Sequence, residues 1–257
     1  MGIKMIVNDL DRTLLRTDES ISEYSMKILS RCREAGIKVI YATGRGERSA
    51  RSVAPYEHFD GIITQGGAVV TIGDNIVAKH VIPCETARKL LMAFDDYGIK
   101  AMSEDNKQYY TTPDVIDFVV SKGWTGRVNC RIVDFSTHDI DTEKINIFVS
   151  ANEEIDFVKQ ALPNDLYLTV ARDGHGIIMR GEATKKTGIM KLAEIWGIER
   201  TDIVSFGDDA IDLEITAYAG VGVAVANAID EMKAIADHIC GSNDDDGVAK
   251  WLEANVL

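Results

Sequence analysis

Two carboxylates stand close together near the start of the chain, directly after an apolar run. Asp9 and Asp11 follow residues 3–7, within the sequence NDLDRTLL. Side chains two residues apart on an extended segment point to the same side, so both acids can serve one reacting centre. Paired carboxylates can bind a metal ion, attack as nucleophiles or exchange protons. The alternative is an Asp-rich turn at the end of a strand, because Asp is common in turns.

A second segment, ATGR, ends another apolar run. It contains Thr43, Gly44 and Arg45. A hydroxyl group, a glycine that permits close backbone approach and a guanidinium group together could cradle a phosphate or another oxyanion. Thr and Gly also occur in many strand-to-helix turns for backbone reasons alone, so this segment by itself is a weak signal.

Two later segments supply further charged groups. GDDAID contains Asp208 and Asp212, whose oxygens are of the type that Mg²⁺ prefers. At Asp212 the alternative is an acid that complements a helix dipole. TKK contains Lys185 and Lys186, either of which could neutralise a phosphoryl group, and their spacing does not separate them. The alternative for each lysine is an ordinary surface cation.

The elements around these motifs predict a parallel sheet. Helical spacing covers residues 21–35, with Ser22 as the candidate cap and Gly36 as the candidate end. Further helices are predicted at 187–196, 211–219 and 229–236, and apolar strands at 3–7, 37–42, 61–64, 202–206 and 221–225. Alternating short strands and amphipathic helices indicate an α/β fold with a Rossmann-like parallel-sheet core. Ligands of such sheets gather at the carboxyl ends of the strands, where the motifs stand.

The middle of the chain follows a different pattern, in which a helix is followed by two strands about three times. The predicted helices are 86–97, 114–122 and 153–162, and the predicted strands are 99–104, 108–112, 128–134, 144–150, 166–172 and 176–181. This pattern predicts an inserted α+β domain with an antiparallel sheet. The expected division is 1–82 for the first part of the core, 83–181 for the inserted domain and 182–257 for the second part of the core. The alternative is one continuous α/β domain.

Composition excludes several classes of function. The chain has 257 residues, 28 basic and 41 acidic, for a net charge of −13, and 46% of its residues are hydrophobic. An acidic globular protein of this kind is a poor partner for nucleic acid or an anionic membrane. Its four cysteines form no CxxC pair and its five histidines no zinc-binding pattern. With neither a signal peptide nor a membrane-spanning stretch in the sequence, we expect a cytoplasmic protein.

Taken in chain order, NDLDRTLL, ATGR, TKK and GDDAID resemble the four motifs of the haloacid dehalogenase (HAD) superfamily of phosphohydrolases. AVANAIDEMK and SNDDDGVAKWLE are similar to the Cof-type branch, whose members carry a large α/β cap of the C2B type between motifs two and three. The resemblance implies that the inserted domain at 83–181 is such a cap. The acidic run of three aspartates at 244–246, which lies within the second of these segments, is expected to be a solvated loop.

The resemblance also implies a role for each candidate residue. Asp9 would be the nucleophile that forms an aspartyl-phosphate, and Asp11 would protonate the leaving oxygen and later activate water. Mg²⁺ would be held by Asp9, the main-chain carbonyl of Asp11, Asp208 and Asp212, the last directly or through water. The phosphoryl group would be bound by Thr43, Gly44, Lys185 and Asn227, with Lys185 chosen because Lys186 falls where the family usually has Gly. Candidate contacts to the leaving group are Tyr110, Arg131, Arg172 and His175, each of which could equally be an ordinary surface or packing residue. Arg45 is a further candidate for contact with the substrate.

This chain departs from the family pattern at five positions. Arg12 replaces the common Gly of DxDGT, and Gly66 replaces the usual Asn of the branch. Asp209 and Ile211 replace Gly and Asn of GDGxND, and Lys186 replaces Gly after the motif-three lysine. We expect catalysis to survive the change at Arg12, and the others to alter contacts around the metal, the substrate or the rim of the pocket.

The expected function is therefore Mg²⁺-dependent hydrolysis of a small phosphorylated metabolite, with a sugar phosphate as a candidate. One alternative is a phosphomutase that uses the same nucleophile. The other is a phosphate-ligand binding protein without turnover, which the Asp9 and Asp11 pair disfavours because a binder needs no second acid. Nucleic acid and membranes are not expected partners, and the sequence carries no signal for an oligomeric state.

Overall fold

The computed structural model describes residues 2–121, 130–137, 139–171 and 174–257, which divide into two compact units. The core unit comprises Met1–Lys79 and Thr184–Leu257, and the inserted unit comprises His80–Ala183. The boundaries expected from the sequence lie three residues from the first division and two from the second. That these units correspond to a catalytic domain and a cap stays a prediction.

The core unit is built on an eight-stranded sheet. Its strands, in order across the sheet, are β14 (His238–Ile239), β13 (Val221–Ala224), β12 (Ile203–Gly207), β1 (Met5–Asn8), β2 (Lys38–Ala42), β3 (Gly61–Thr64), β4 (Val69–Ile72) and β5 (Asn75–Lys79). The strands from β14 to β3 are parallel, whereas β3, β4 and β5 pair antiparallel. The predicted parallel-sheet core is confirmed, and the β4–β5 hairpin was not predicted from the sequence.

Helices cover both faces of this sheet. The helices of the core unit are α1 (Glu23–Glu34), α2 (Glu47–Val53), α6 (Lys185–Trp196), α7 (Leu213–Tyr218), α8 (Asp230–Ile235) and α9 (Gly247–Asn255). Ile6 packs with α1 and α9 on one face, while Met5 and Val7 pack with α6 and α7 on the other. Both faces of β1 are therefore buried, which explains its uninterrupted apolar sequence. Ser22 caps α1, as predicted, by accepting a hydrogen bond from the Ser25 amide.

The inserted unit contains a six-stranded sheet and three of the α-helices in the described ranges. The strands, in order across the sheet, are β10 (Leu166–Val170), β11 (His175–Arg180), β9 (Lys144–Phe148), β6 (Lys100–Glu104), β7 (Tyr109–Thr111) and β8 (Cys130–Ile132), and the helices are α3 (Cys84–Tyr97), α4 (Pro113–Ser121) and α5 (Asn152–Ala161). The predicted helix–strand–strand order is confirmed. The sheet is antiparallel except that β7 and β8 run parallel, a pairing that the sequence did not predict.

Apolar side chains from α3 and α5 pack against one face of the second sheet. This core includes Leu91, Phe94, Ile145, Ile147 and Val158. Within the described ranges, no helix is both long enough and apolar enough to cross a membrane.

Candidate active site

Three neighbouring parallel strands of the core sheet end at the candidate site. Asp9 follows β1, Thr43 follows β2 and Asp208 follows β12. Because β12, β1 and β2 are adjacent and parallel, their carboxyl ends meet at one edge of the sheet. Residues that are far apart in the chain are thereby brought close together.

Asp9, Asp208 and Asp212 form a buried cluster, called here the acid trio. One carboxylate oxygen from each lies within 4.8 Å of the other two. The ammonium group of Lys185 lies 2.6 Å from Asp9 Oδ1 and 2.7 Å from Asp212 Oδ1. When all three carboxylates are ionised, they exceed the one ammonium group by two negative charges, in a site largely removed from water.

Burial and this excess charge shift the pKa values of the acids upward. Burial raises the pKa of Asp9 to about 8, with Asp212 and Asp208 adding to the rise and Lys185 opposing it. Burial, followed by Asp212 and Asp209, raises the pKa of Asp208 to about 6. For Lys185, burial lowers the pKa, but the carboxylates of Asp212 and Asp9 outweigh it, so that the net shift is upward. The acid trio therefore attracts positive charge.

The acid trio could hold a divalent cation. Carboxylate oxygens are the ligands that Mg²⁺ prefers, and two excess negative charges are what a divalent cation would neutralise. Asp9, Asp208 and Asp212 were all predicted as metal ligands, and the structure brings them together. The side chain of Asp11, by contrast, is directed to Arg45, and the predicted contribution of its main-chain carbonyl stays a prediction.

Local hydrogen bonds orient two members of the acid trio. The Thr13 hydroxyl donates to Asp208 Oδ1 at 3.3 Å. Asp212 Oδ2 accepts from the backbone amides of Asp208 and Asp209 at 3.3 and 3.4 Å. Thr13 was not predicted as a site residue, although its place two residues after Asp11 in the same motif was a signal that could have identified it.

The two lysines that compete in the sequence occupy different environments. Lys185 begins α6 and is buried, whereas Lys186 is partly exposed and lies 3.1 Å from Glu214. Thr184 caps α6 by accepting from the Thr187 amide at 3.1 Å, which fixes the start of the helix. The geometry therefore separates the lysines where spacing did not, and the phosphate-binding role of Lys185 stays a prediction.

Asp11 and Arg45 form an ion pair beside the acid trio. Arg45 Nε donates to Asp11 Oδ2 at 2.9 Å. Arg45 Nη2 donates to Asp11 Oδ1 and also, at 3.2 Å, to Glu19 Oε1. Hydrogen bonding to Asp11, which outweighs the effect of burial, raises the pKa of Arg45. About half of the Asp11 side chain is exposed, so it remains accessible to a ligand. Glu19 was not recognised from the sequence, because nothing in the local pattern marks it.

The remaining candidates for phosphate binding differ in their surroundings. Thr43 is buried, and its hydroxyl accepts from the Arg45 amide at 3.1 Å. Gly44 is exposed, next to Thr43. Asn227 donates its side-chain amide to the Arg12 carbonyl at 2.7 Å. Their predicted contacts with phosphate stay predictions. The left-handed backbone of Gly66, with φ of +64°, is one that both Gly and Asn adopt, which explains how Gly replaces Asn there.

The predicted leaving-group contacts belong to the inserted unit. Arg131 is exposed on β8, opposite Tyr110 on β7. His175 on β11 lies 3.1 Å from Asn146 Oδ1 and stacks on Phe148. Arg172 lies outside the described residues. The roles of these residues toward a substrate stay predictions.

Comparison with known proteins decides the family. A family model described as haloacid dehalogenase-like hydrolase matches residues 6–252. The chain belongs to this family. It is an enzyme of the HAD phosphatase type, a hydrolase of phosphate esters, and the predicted membership of the HAD superfamily is thereby confirmed.

HAD relatives of known or assigned activity match almost the whole chain. A 5-amino-6-(5-phospho-D-ribitylamino)uracil phosphatase of Bacillus subtilis (strain 168) is 27% identical over 266 residues, covering 97% of this chain and 96% of its own. A phosphoglycolate phosphatase of Methanococcoides burtonii is 26% identical over 258 residues, covering 98% and 96%. Both are phosphatases of small molecules.

Solved HAD structures confirm the fold. A sugar phosphatase of HAD subclass IIB superposes with a TM-score of 0.81 at 22% identity, covering 99% of this chain and 100% of that one. A HAD phosphatase from Bacteroides thetaiotaomicron gives a TM-score of 0.84 at 23% identity, covering 100% and 96%. The chain therefore shares its α/β core and its second, mostly antiparallel sheet with these solved structures.

Proposed function

We propose that the protein is a Mg²⁺-dependent phosphomonoesterase that hydrolyses a small phosphorylated metabolite through an aspartyl-phosphate on Asp9. The observation that carries this proposal is the acid trio, two of whose members contact Lys185: Asp9, Asp208 and Asp212 lie together, buried, with an excess of negative charge. Asp9, Asp208 and Asp212 would hold Mg²⁺, which when bound would neutralise charge on the phosphoryl oxygens.

Different residues would carry out nucleophilic attack and binding of the phosphoryl group. Asp9 Oδ would attack phosphorus, forming the Asp9–phosphorus bond as the bond to the leaving oxygen breaks. Lys185, Thr43 and the Gly44 amide would bind the phosphoryl oxygens and stabilise their charge during transfer. In a second displacement, water would attack the same phosphorus, releasing inorganic phosphate and regenerating Asp9.

Asp11 would handle the protons of both steps. It would donate a proton to the leaving oxygen and then accept one from the attacking water. Its present partner, Arg45, would have to release it first, and a phosphoryl group is an alternative partner for the guanidinium group. We therefore assign Arg45 to substrate binding through this exchange.

The substrate class is proposed from the names of the relatives. The named relatives act on phosphorylated small molecules: a ribitylaminouracil phosphate, phosphoglycolate and a sugar phosphate. We propose the same class here, with sugar phosphates as the first group to test, in a cytoplasmic setting. The inserted unit would act as the cap that selects the leaving group, with Arg131 and His175 among its candidate contacts.

Phosphate release from an aryl phosphate tests the proposal. Wild type is expected to release phosphate with Mg²⁺ and not after chelation, and Asp9→Asn is expected to abolish release. Asp74→Asn is the matched control, because Asp74 is an exposed turn residue outside the site. Metal-independent release, or release that survives Asp9→Asn, would exclude this function.

Two other outcomes identify the alternatives. Tight binding of a phosphate ester without release would indicate a binding protein, and isomerisation of a sugar phosphate stimulated by a bisphosphate would indicate a phosphomutase. A panel of phosphorylated metabolites, including the substrates named for the relatives, would then determine the substrate.

A further inference from the structure

The loop that follows β1 contains a residue in an unfavourable backbone conformation. Arg12 has φ of +58° and ψ of +12°, in the left-handed region. A residue with a Cβ atom adopts this region at a cost, and it persists only where the surroundings hold it. Because Arg12 directly follows Asp11, its backbone conformation sets the direction of the chain after Asp11, the proposed general acid and base. Contacts that hold Arg12 therefore also hold the loop that carries Asp11.

Two asparagines from the C-terminal part of the chain supply such contacts. Asn227 Nδ2 donates to the Arg12 carbonyl at 2.7 Å, and Asn227 Oδ1 accepts from the Asn243 amide at 3.0 Å. Asn243 is buried, and its Nδ2 donates to the Leu15 carbonyl at 3.1 Å. The pair thus links both ends of the segment 12–15 to one another. We call Asn227 and Asn243 the asparagine clamp.

Two acids next to the clamp hold the residues that come next in the same loop. Asp244 accepts from the Thr17 amide at 2.8 Å and from the Thr17 hydroxyl at 2.7 Å. Asp246 accepts from Arg16 Nη2 at 3.0 and 2.9 Å. The acidic run that was expected to be a solvated loop therefore binds the loop after Asp11 through two of its three members.

We propose that Asn227 and Asn243 are positioning residues for the hydrolysis. They would act by keeping Arg12 in the left-handed conformation, which holds Asp11 where it can exchange a proton with the leaving group. This inference rests on the proposed function, and it differs from the direct contact with phosphate that the sequence predicted for Asn227.

The arginine itself provides a specific test. Glycine adopts the left-handed region at no steric cost, so Arg12→Gly removes the strain that the clamp must oppose. If the clamp acts through Arg12, its loss matters less when residue 12 is glycine. A residue that touched phosphate would be equally necessary in both backgrounds.

The experiment measures kcat, KM and inhibition by inorganic phosphate with an aryl phosphate as substrate. Asn227→Ala and Asn243→Ala are each expected to lower kcat by about tenfold, because small displacements of a catalytic group reduce the rate strongly. The KM and the inhibition constant of phosphate should stay within about twofold of wild type. Adding Arg12→Gly to either variant is expected to restore most of kcat. The matched control is Asn255→Ala, which removes another asparagine bond to a carbonyl, that of Trp251, and should keep the wild-type kcat.

Hydrogen exchange gives a second readout that does not need activity. The Leu14 and Leu15 amides donate to the carbonyls of Asp9 and Leu10 within the loop, at 3.2 and 2.8 Å. Both amides should exchange faster in Asn227→Ala than in wild type, and at the wild-type rate in Asn255→Ala. If wild type hydrolyses no phosphate ester, the proposed function fails, and exchange still decides whether the clamp holds the loop.

Three results would overturn the inference. The first is a rise of about tenfold or more in the phosphate inhibition constant of Asn227→Ala at unchanged kcat, which would make Asn227 a phosphate ligand. The second is a loss of kcat that Arg12→Gly does not relieve. The third is unchanged exchange at Leu14 and Leu15 in Asn227→Ala.

Discussion

Asp9 and Asp212 share the buried ammonium group of Lys185, with Asp208 beside them, and the negative charge that remains governs how the core unit responds to pH. A carboxylate removed from water without a full complement of positive charge favours its protonated form. Binding of a divalent cation and binding of protons therefore compete for the same oxygens. This competition makes stability, as well as activity, a readout of the site.

The contribution of Asp9 and Asp208 to the stability of the metal-free protein is predicted to fall as pH rises. Folding raises the pKa of Asp208 to about 6 and that of Asp9 to about 8, above the value of about 4 in an unfolded chain. Between about pH 4 and pH 8 these two groups thus bind more protons in the folded protein than in the unfolded chain, and their contribution to the free energy of unfolding decreases with rising pH. Mg²⁺ should raise the thermal midpoint more at about pH 8 than at about pH 5, because protonated carboxyls do not bind it.

Thermal unfolding of matched variants isolates this effect from the titration of other groups. Asp208→Asn should flatten the pH dependence and reduce the response to Mg²⁺, whereas Asp74→Asn should leave both unchanged. A Mg²⁺ response of equal size at both pH values, or one that Asp208→Asn leaves intact, would disagree with the charge assigned to the acid trio.

The neighbouring lysines give a second prediction at this scale. Lys185→Ala removes the ammonium group between Asp9 and Asp212 and is expected to lower kcat/KM by about 100-fold or more. Lys186→Ala removes only a partly exposed pair with Glu214 and is expected to change kcat/KM by about twofold at most. Steady-state kinetics of both variants tests this difference. Comparable reductions of kcat/KM in the two variants would contradict the assignment of Lys185 as the phosphate-binding lysine.

Among the secondary-structure elements, α6 depends on a close approach to the turn before β4. Gly67 has φ of +116°, and a Cβ atom added there would lie 2.1 Å from the Thr184 carbonyl oxygen. Thr184 caps α6 directly before Lys185. The turn and the helix start are therefore in backbone contact, which sets the position of Lys185.

A pair of glycine variants tests this contact. Gly67→Ala combines a positive φ with a backbone clash and is expected to cost about 3 kcal/mol and to lower activity through displacement of Lys185. Gly73→Ala shares the positive φ but meets nothing within 4 Å, so a cost of about 1 kcal/mol and normal activity are expected. Chemical unfolding and kinetics measure both, and equal costs would show that the contact with Thr184 is not decisive.

Local sequence patterns predicted the secondary-structure elements better than they predicted which strands pair with one another. The strands β1, β2, β3 and β12 and the helices α1, α3 and α6 follow from apolar runs, helical spacing and caps, all of which are local. The β4–β5 hairpin was not included, since β5 is largely exposed and has no apolar run to mark it. The parallel pairing of β7 with β8 depends on contacts far apart in sequence, which local patterns do not encode.

In the site, the sequence could name the acids but not their contacts. Asp9 and Asp208 could be grouped because parallel strands end at one edge, and the family resemblance added Asp212. The pairing of Asp11 with Arg45 and the bond from Asn227 to Arg12 both depend on loop conformation. Arg12 shows why, since its left-handed backbone is rare for arginine and no local pattern would predict it.

For the whole molecule, a strongly acidic chain is proposed to act on an acidic substrate. The net charge of −13 would repel a phosphate ester at long range, but screening by salt limits such repulsion to about 10 Å. Within that distance, Lys185, Arg45 and a bound divalent cation would determine the local potential. The distribution of charge, and not its sum, therefore controls whether the protein can bind phosphate.

The most direct test of the central claim is to trap phosphate on Asp9. Asp11→Asn should slow breakdown of the aspartyl-phosphate, and an aryl phosphate, whose leaving group needs no acid, should still form it. Acid quenching of this variant with radiolabelled substrate and Mg²⁺, followed by peptide mapping, should give label on the peptide that contains Asp9. Chelation of Mg²⁺ or a further Asp9→Asn change should abolish it. Label on another residue, or none on Asp9 while wild type turns over, would contradict the account.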